Sequence, residues 1–460
     1  MFRNIFSTFA NCFKIPELKS RILFTLALLT VARVLAYVPI PGVDGVGLAT
    51  WSQQNAHGMA SIMGLYNRFA GGAYNNCAIG ALGIMPYVSG SIILTLLQAV
   101  FPQLSKLSRE EGGRAKIIQF GRYLTIPLCI GQGIYFASSY LHPQRMFPGY
   151  PGKLVVMDNV VMYYILAVTV MTTATLVLMW LGEQITERGI GNGVSLIITV
   201  GIVAGLPYAG SDLVTMFGSK ESQYHFLGTG LLLIGLLVLV IGGIIAITQA
   251  QRKVPVQYAS RMVGRKMYQG GTNYLPLQVN QSNVMPIIFA SSILMFPAPV
   301  LQWLALNAHP TFLQPYFLKL VPLFNYGGLF YLAMYALLIL FFSYFWVATT
   351  FNEIQIADDL KKNGGYIPGV RPGQSTSDYL HKAMSRLTLA GAIFLTAIAV
   401  IPIMLYKQLG VSQNVAQFFG GTSILIAVGV LLNTMRQVES HLMMRHYDGF
   451  LKKGKVRGRF

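Results

Sequence analysis

Apolar runs long enough to cross ~30 Å of hydrocarbon recur ten times along this chain. They lie near 22–38, 82–101, 119–139, 160–180, 191–207, 226–248, 284–304, 329–350, 387–406 and 418–435. Only 11% of the residues are charged, against roughly 25% in a soluble domain. In lipid the backbone must satisfy its own hydrogen bonds, so runs of this length and character form helices. The expected fold class is therefore an all-α polytopic membrane protein with ten transmembrane helices. The 191–207 run, short and Gly-rich, is the weakest of the ten.

Two of these runs open alike, 200 residues apart. Ile84-Met85-Pro86-Tyr87-Val88-Ser89-Gly90-Ser91-Ile92-Ile93-Leu94 aligns with Val284-Met285-Pro286-Ile287-Ile288-Phe289-Ala290-Ser291-Ser292-Ile293-Leu294. Each places Pro at the start of a helix, where the missing N–H does no harm. Each is also the second run in its half of the chain. Five runs per half force the halves to cross the membrane in opposite senses, and inverted repeats put their working site where the halves meet. The expected organisation is residues 22–207 and 208–436 as two inverted five-helix halves. Residues 1–21 precede them as a cytoplasmic segment with Phe2, Ile5, Phe6, Phe9 and Phe13 at helical spacing, and a basic tail follows at 437–460.

Most of the 34 Lys and Arg residues fall in the tails and in the loops on one side, which makes that side, with both termini, cytoplasmic. The same bias accounts for the net charge of +19. Such a balance also suits anionic lipid or a large acidic partner such as ribosomal RNA. The outer segment 39–81 is too long for a simple connection and is rich in Gly and Asn, a composition suited to folding back into a protein-lined cavity. The cytoplasmic loops 249–283 and 351–386 are long, basic and rich in Gly and Pro, and are expected to protrude as docking elements.

Catalytic signatures are missing. No phosphate-binding Gly-x-x-x-x-Gly-Lys-Ser/Thr, no His-Glu-x-x-His and no Cys cluster occurs. Cys12, Cys77 and Cys129 have no motif spacing, so neither a disulfide nor a metal site is expected, no cofactor is called for, and no cleavable signal peptide is read. The glycines of Gly189-Ile190-Gly191-Asn192-Gly193 follow no strand and read as a flexible lead-in to a helix. The carboxylates lie outside the spans or at their edges, which argues against ion coupling and catalysis. Arg33 and Arg122 lie near enough to span ends to snorkel.

Several motifs together resemble one family. Pro39-Ile40-Pro41-Gly42, Ala81-Leu82-Gly83-Ile84-Met85-Pro86-Tyr87, Trp180-Leu181-Gly182-Glu183-Gln184-Ile185-Thr186-Glu187-Arg188-Gly189-Ile190-Gly191-Asn192-Gly193, Pro368-Gly369-Val370-Arg371-Pro372-Gly373 and Phe419-Gly420-Gly421-Thr422-Ser423 look like the SecY family of protein-export channels. The resemblance runs from about residue 15 to the basic tail. It implies an hourglass channel that conducts unfolded secretory chains across the bacterial plasma membrane and releases transmembrane segments sideways into lipid, without being an enzyme.

The same resemblance implies roles for particular residues. Ile84, Val88, Val194, Ile198, Ile288 and Ile426 match an apolar constriction. The pairs Ile84/Val88 and Val194/Ile198 have the i,i+4 spacing that presents one helix face. Tyr66–Gly80, with Tyr66, Gly71, Gly72, Asn75 and Ile79, matches a plug over about 66–80. Ser89, Gly90, Ser91 and Thr95 on one helix and Ser291 and Ser292 on the other match a lateral gate. Arg371 matches a position that works with a SecA motor ATPase, and Arg252 and Lys253 match a docking loop used by both the motor and the ribosome. SecE-like and SecG-like small subunits, secretory precursors with their signal peptides, and membrane lipid complete the implied partners. Two rivals stand beside this reading: a small-solute transporter, which a buried coupling carboxylate would favour, and a scaffold with no conducting path.

Overall fold

A computed structural model describes residues 15–45, 47–48, 50, 67, 69–110, 112–143, 150, 152–207, 210–211, 213–214, 226–258, 261–263, 266–268, 271–295, 297, 300–301, 304, 314–324, 328–409, 415 and 422–453. Each of the ten apolar runs carries a helix. Five helices among the described residues are long and apolar enough to cross a membrane. The chain divides into two units, residues 1–211 with 426–460, and residues 212–425.

In the first unit α1 spans Pro16–Val34, with Pro at its start, Glu17 in its first turn and Arg33 in its last, matching the helix dipole at both ends. Then come α2 (Met85–Val100), α3 (Pro102–Arg109), α4 (Gly113–Leu141), α5 (Val160–Arg188) and α6 (Gly193–Val203). Asn159 caps α5, its side-chain oxygen accepting from the N–H groups of Val161 and Met162, and Asn192 caps α6 by accepting from Ser195. The segments before α2 and between α4 and α5 brace one another: Ile40 N–H donates to Cys77, Asp44 N–H to Leu154, and Val156 N–H to Gly42.

The second unit holds α7 (Phe226–Gln249), then β1 (Gln251–Tyr258), β2 (Arg261–Val263), β3 (Lys266–Tyr268) and β4 (Thr272–Gln278). It continues with α8 (Met285–Met295), α9 (Gln314–Leu320), α10 (Leu329–Thr350), α11 (Glu353–Lys362), β5 (Gly365–Tyr366) and α12 (Gln374–Leu409). The last helix, α13 (Thr422–Lys453), starts in this unit and from Ile426 onward packs with the first.

The strands are absent from the sequence expectation. β1 pairs antiparallel with β4, from Gln251 opposite Gln278 to Gln257 opposite Thr272. Its far end pairs with β5, Gln257 opposite Tyr366 and Tyr258 opposite Gly365. The loops expected as two separate docking elements thus share one three-stranded sheet, ordered β4-β1-β5. A core of its own supports this sheet: Val254, Val256, Leu277, Val347, Ile367, Leu380, Ala383 and Met384 are buried together.

The aligned repeat stretches have matching local geometry. Gly83 and Asn283 both adopt positive φ, 58° and 52°, two residues before Met85 and Met285. Val88 N–H donates to Ile84 at 3.2 Å and Ile288 N–H to Val284 at 3.3 Å. Ser91 Oγ donates to Val88 O at 2.7 Å, and Ser291 Oγ to Ile288 O at 3.0 Å.

Candidate functional site

The segment before α2 is folded tightly against the first unit. Gly71 and Gly72 adopt positive φ, 67° and 88°, the left-handed conformation that glycine takes at least cost. Between them these residues turn the chain back, so that Gly72 N–H donates to Asn67 O and Asn76 N–H to Gly72 O. Asn75 N–H donates to the Asn67 side chain at 3.1 Å. Ile79 N–H donates to Val38 O at 2.8 Å and Gly80 N–H to Leu35 O at 3.0 Å. Ala73, Tyr74, Cys77 and Ala78 are fully buried, with the Tyr74 ring packed on Phe136 and Tyr140. Tyr140 donates its hydroxyl proton to Tyr74 O at 2.9 Å. A solvated loop has none of this, since its backbone groups would be left to water. Tyr66 lies outside the described residues.

This segment meets the start of α2 directly. A Cβ on Gly83 would come within 3.3 Å of Ala70. A small cavity is lined by Phe69, Ala70, Gly80, Ile84, Val200 and Arg33, among others. Ile84, Val88, Ile198 and Ile426, all in the first unit, are buried. Val194 is half-buried, and a Cβ on Gly182 would stand 3.3 Å from its Cγ2. Ile288 is buried within the second unit.

The two arginines near span ends have fixed partners. Arg122 forms a two-pronged pair with Glu183 of α5, Nε to Oε1 at 2.9 Å and Nη2 to Oε2 at 2.8 Å. Arg33 turns inward, Nη1 donating to Gly71 O at 3.0 Å. In each case a partner distant in sequence offers the guanidinium a fixed acceptor.

The Gly189–Gly193 junction is also corrected: it is rigid. Ile190 N–H donates to Thr25 Oγ1, Gly191 N–H to Gln437 Oε1 and Gly193 N–H to Thr186 Oγ1, at 3.1, 2.9 and 2.8 Å. These glycines are small because other chain passes close by. A Cβ on Gly193 would run into Gly182 O and Ile185. Gly193→Ala is expected to destabilise the protein by about 1–3 kcal/mol, the usual cost of overpacking, read as a lowered melting temperature in detergent. An unchanged melt would show that the junction has room to spare.

On α2 and α8 the hydroxyls turn back onto their own helices. Thr95 Oγ1 donates to Ser91 O, Ser291 Oγ to Ile287 O and Ser292 Oγ to Ile288 O, all within 2.8 Å. Ser89 is buried. Gly90 belongs to a fixed contact, because a Cβ there would meet Thr125 Oγ1 and Gly121 O of α4. Sequence reading alone does not separate this face from its neighbours.

On the sheet, Arg252 and Lys253 are exposed, whereas Val254 and Val256 are buried. Side chains alternate along a strand, so Arg252 shares the face of the valines at the end of the core, and Lys253 points the other way. Arg371 is exposed in a turn held by Gly369 and Gly373, both at positive φ (80° and 101°). Its carbonyl accepts from Thr376 Oγ1 at 2.9 Å, and Val370 N–H donates to Ile367 O. The turn follows β5 directly, which ties it to the sheet that carries Arg252 and Lys253.

A family model described as SecY matches residues 78–435. Curated relatives share about two residues in five. A protein translocase subunit SecY of Chlamydia muridarum is 40% identical, the match covering 98% of this chain and 100% of the relative. Those of Thermotoga maritima (41%; 99% and 100%) and Escherichia coli (41%; 96% and 96%) are similar. Among solved structures, one described as a protein conducting channel superposes with a TM-score of 0.55 at 17% identity, covering 91% of each chain. Sec61 in the canine ribosome–channel complex superposes at 0.53 and 16% identity, again over 91% of each.

Proposed function

The chain belongs to the SecY family, and from that premise we infer that it is the protein-conducting channel subunit of a protein translocase. It is a membrane protein and a conduit, not an enzyme. Unfolded secretory chains pass through it, and apolar segments leave it sideways into lipid. The host membrane is a bacterial plasma membrane, with ten crossings in two inverted halves and both termini cytoplasmic.

The observation that carries this reading is the folded segment 69–80, whose Ala70 meets Gly83 and lines one cavity with Ile84. We assign it as the plug, with Gly71, Gly72, Asn75 and Ile79 shaping its fold. Ile84, Val88, Val194, Ile198, Ile288 and Ile426 form the constriction. Aliphatic side chains can close around a passing chain without gripping it, and when empty they resist ions by dewetting. The gate helices are α2 and α8. The Ser91, Thr95, Ser291 and Ser292 hydroxyls are satisfied within their own helices, which leaves them little to bind across a gate that must part; even an available polar contact in a membrane adds only ~0.6 kcal/mol. Arg371 receives a SecA-type motor, Arg252 and Lys253 receive that motor or the ribosome, and SecE-like and SecG-like subunits complete the complex.

Deleting residues 67–80 is expected to leave a leaky channel that melts at a lower temperature than the parent, because the segment seals and also packs Tyr74 against Phe136 and Tyr140. Planar-bilayer recordings of the purified complex should show openings that the intact channel lacks. A deletion variant as tight as the parent would remove the plug assignment and favour a scaffold with no conducting path.

A further inference from the structure

Arg33 stands in an unusual place for a cation. It is half-buried at the last turn of α1, on the wall of the cavity shared by Phe69, Ala70, Ile84 and Gly201. Its side chain has no ion-pair partner among the described residues. The guanidinium instead donates to Gly71 O at 3.0 Å, lies 3.4 Å from the Tyr37 hydroxyl, and has its carbon 5.4 Å from the centroid of the Tyr37 ring. Half-buried charge is ordinarily matched by a carboxylate, because desolvation is costly. Here a main-chain carbonyl and an aromatic ring take that role.

The position of Gly71 is shaped to this contact. It adopts φ +67°, and a Cβ there would collide with Arg33 Nη1 while standing 3.0 Å from Gly201 Cα on α6. The guanidinium therefore fills the space a side chain would need, and the turn at Gly71 is wedged between α1 and α6. Resting on the plug reading above, we propose that Arg33 is a positioning residue that latches the plug closed by holding the Gly71 carbonyl. Such a latch suits a reversible seal. A charge-assisted bond is strong enough to bias the closed state, yet a single bond to the plug, with no opposing carboxylate among the described residues, can be broken when a chain arrives. Because it grips main chain, it makes no demand on plug side chains other than at Gly71.

The test is ion leak through the purified complex in planar bilayers, beside thermal unfolding of the same samples. Arg33→Met keeps length and apolar packing but removes the donors. It should raise the open fraction roughly ten- to a hundredfold, the range expected for losing one charge-assisted hydrogen bond, with the melting temperature little changed. Arg33→Lys keeps a donor and should restore much of the seal. In the background lacking residues 67–80, Arg33→Met should add no further leak, since its effect passes through the plug. If Arg33→Met fails to fold, Gly71→Ala disturbs the same contact from the other side and should leak likewise. A tight Arg33→Met channel beside a leaky deletion overturns the latch and leaves the plug reading standing. Tightness in both overturns the plug reading itself. Added leak in the deletion background would show that Arg33 supports helix packing and is no latch.

Discussion

Replacing Ile426 with Asn is expected to let the channel export precursors that the intact protein rejects. Ile426 is fully buried, at the point where α13 passes into the first unit. An amide there brings donors and acceptors into an aliphatic environment, where each unpaired group costs ~1–3 kcal/mol. Water relieves that cost only by entering, so the substitution favours any state in which the constriction is wet. A shift of this size changes the closed-to-open ratio by roughly ten- to a hundredfold, and a signal sequence then has less work to do. The measurement is export of a reporter whose signal sequence carries a charge in its apolar core. Strong export by Ile426→Asn and by Ile288→Asn, against almost none by the parent, is the expected result. Unchanged rejection by both variants would place these side chains in ordinary helix packing.

How far this molecule was legible in its sequence depends on how local each signal is. The apolar runs were readable because lipid leaves the backbone few alternatives, so composition alone nearly dictates helix. The matched helix starts were readable for a related reason: Met-Pro at a helix start constrains the backbone wherever it occurs, and Gly83 and Asn283, two different residues, both take positive φ just before it. The sheet was hidden. Arg252-Lys253-Val254-Pro255-Val256 does alternate, but its charges and proline read as loop, and β5 is two residues long with its partner far away in sequence. Gly189–Gly193 misled because a glycine run has two opposite meanings, freedom or close approach, and only the neighbours Thr25, Thr186 and Gln437 decide between them. The partners of Arg33 and Arg122 were hidden in the same way. Distance from a span end is visible in sequence, whereas a carbonyl or carboxylate brought in from elsewhere is not.

Reversing Arg371 to Glu is expected to abolish motor-driven export while leaving the fold and ribosome-fed insertion intact. Its turn is stiff, with Gly369 and Gly373 at positive φ and its carbonyl held by Thr376, and its side chain is exposed. The fold therefore gains little from the guanidinium, and a partner is what would feel its loss. A two-pronged contact with a carboxylate is the strongest use of an exposed arginine. Removing it costs roughly 1.5–3 kcal/mol, and like-charge repulsion adds to this, so coupling to the motor should fall by more than about tenfold. Lys253→Glu should do less, because that residue projects from the opposite sheet face to Arg252 and any one partner surface engages only part of the set. Proteoliposomes with the motor would report precursor protection and ATP turnover together. Idle ATP turnover with no protected precursor places Arg371 in coupling, loss of both places it in docking, and full export by the Glu variant would make it a solvated charge.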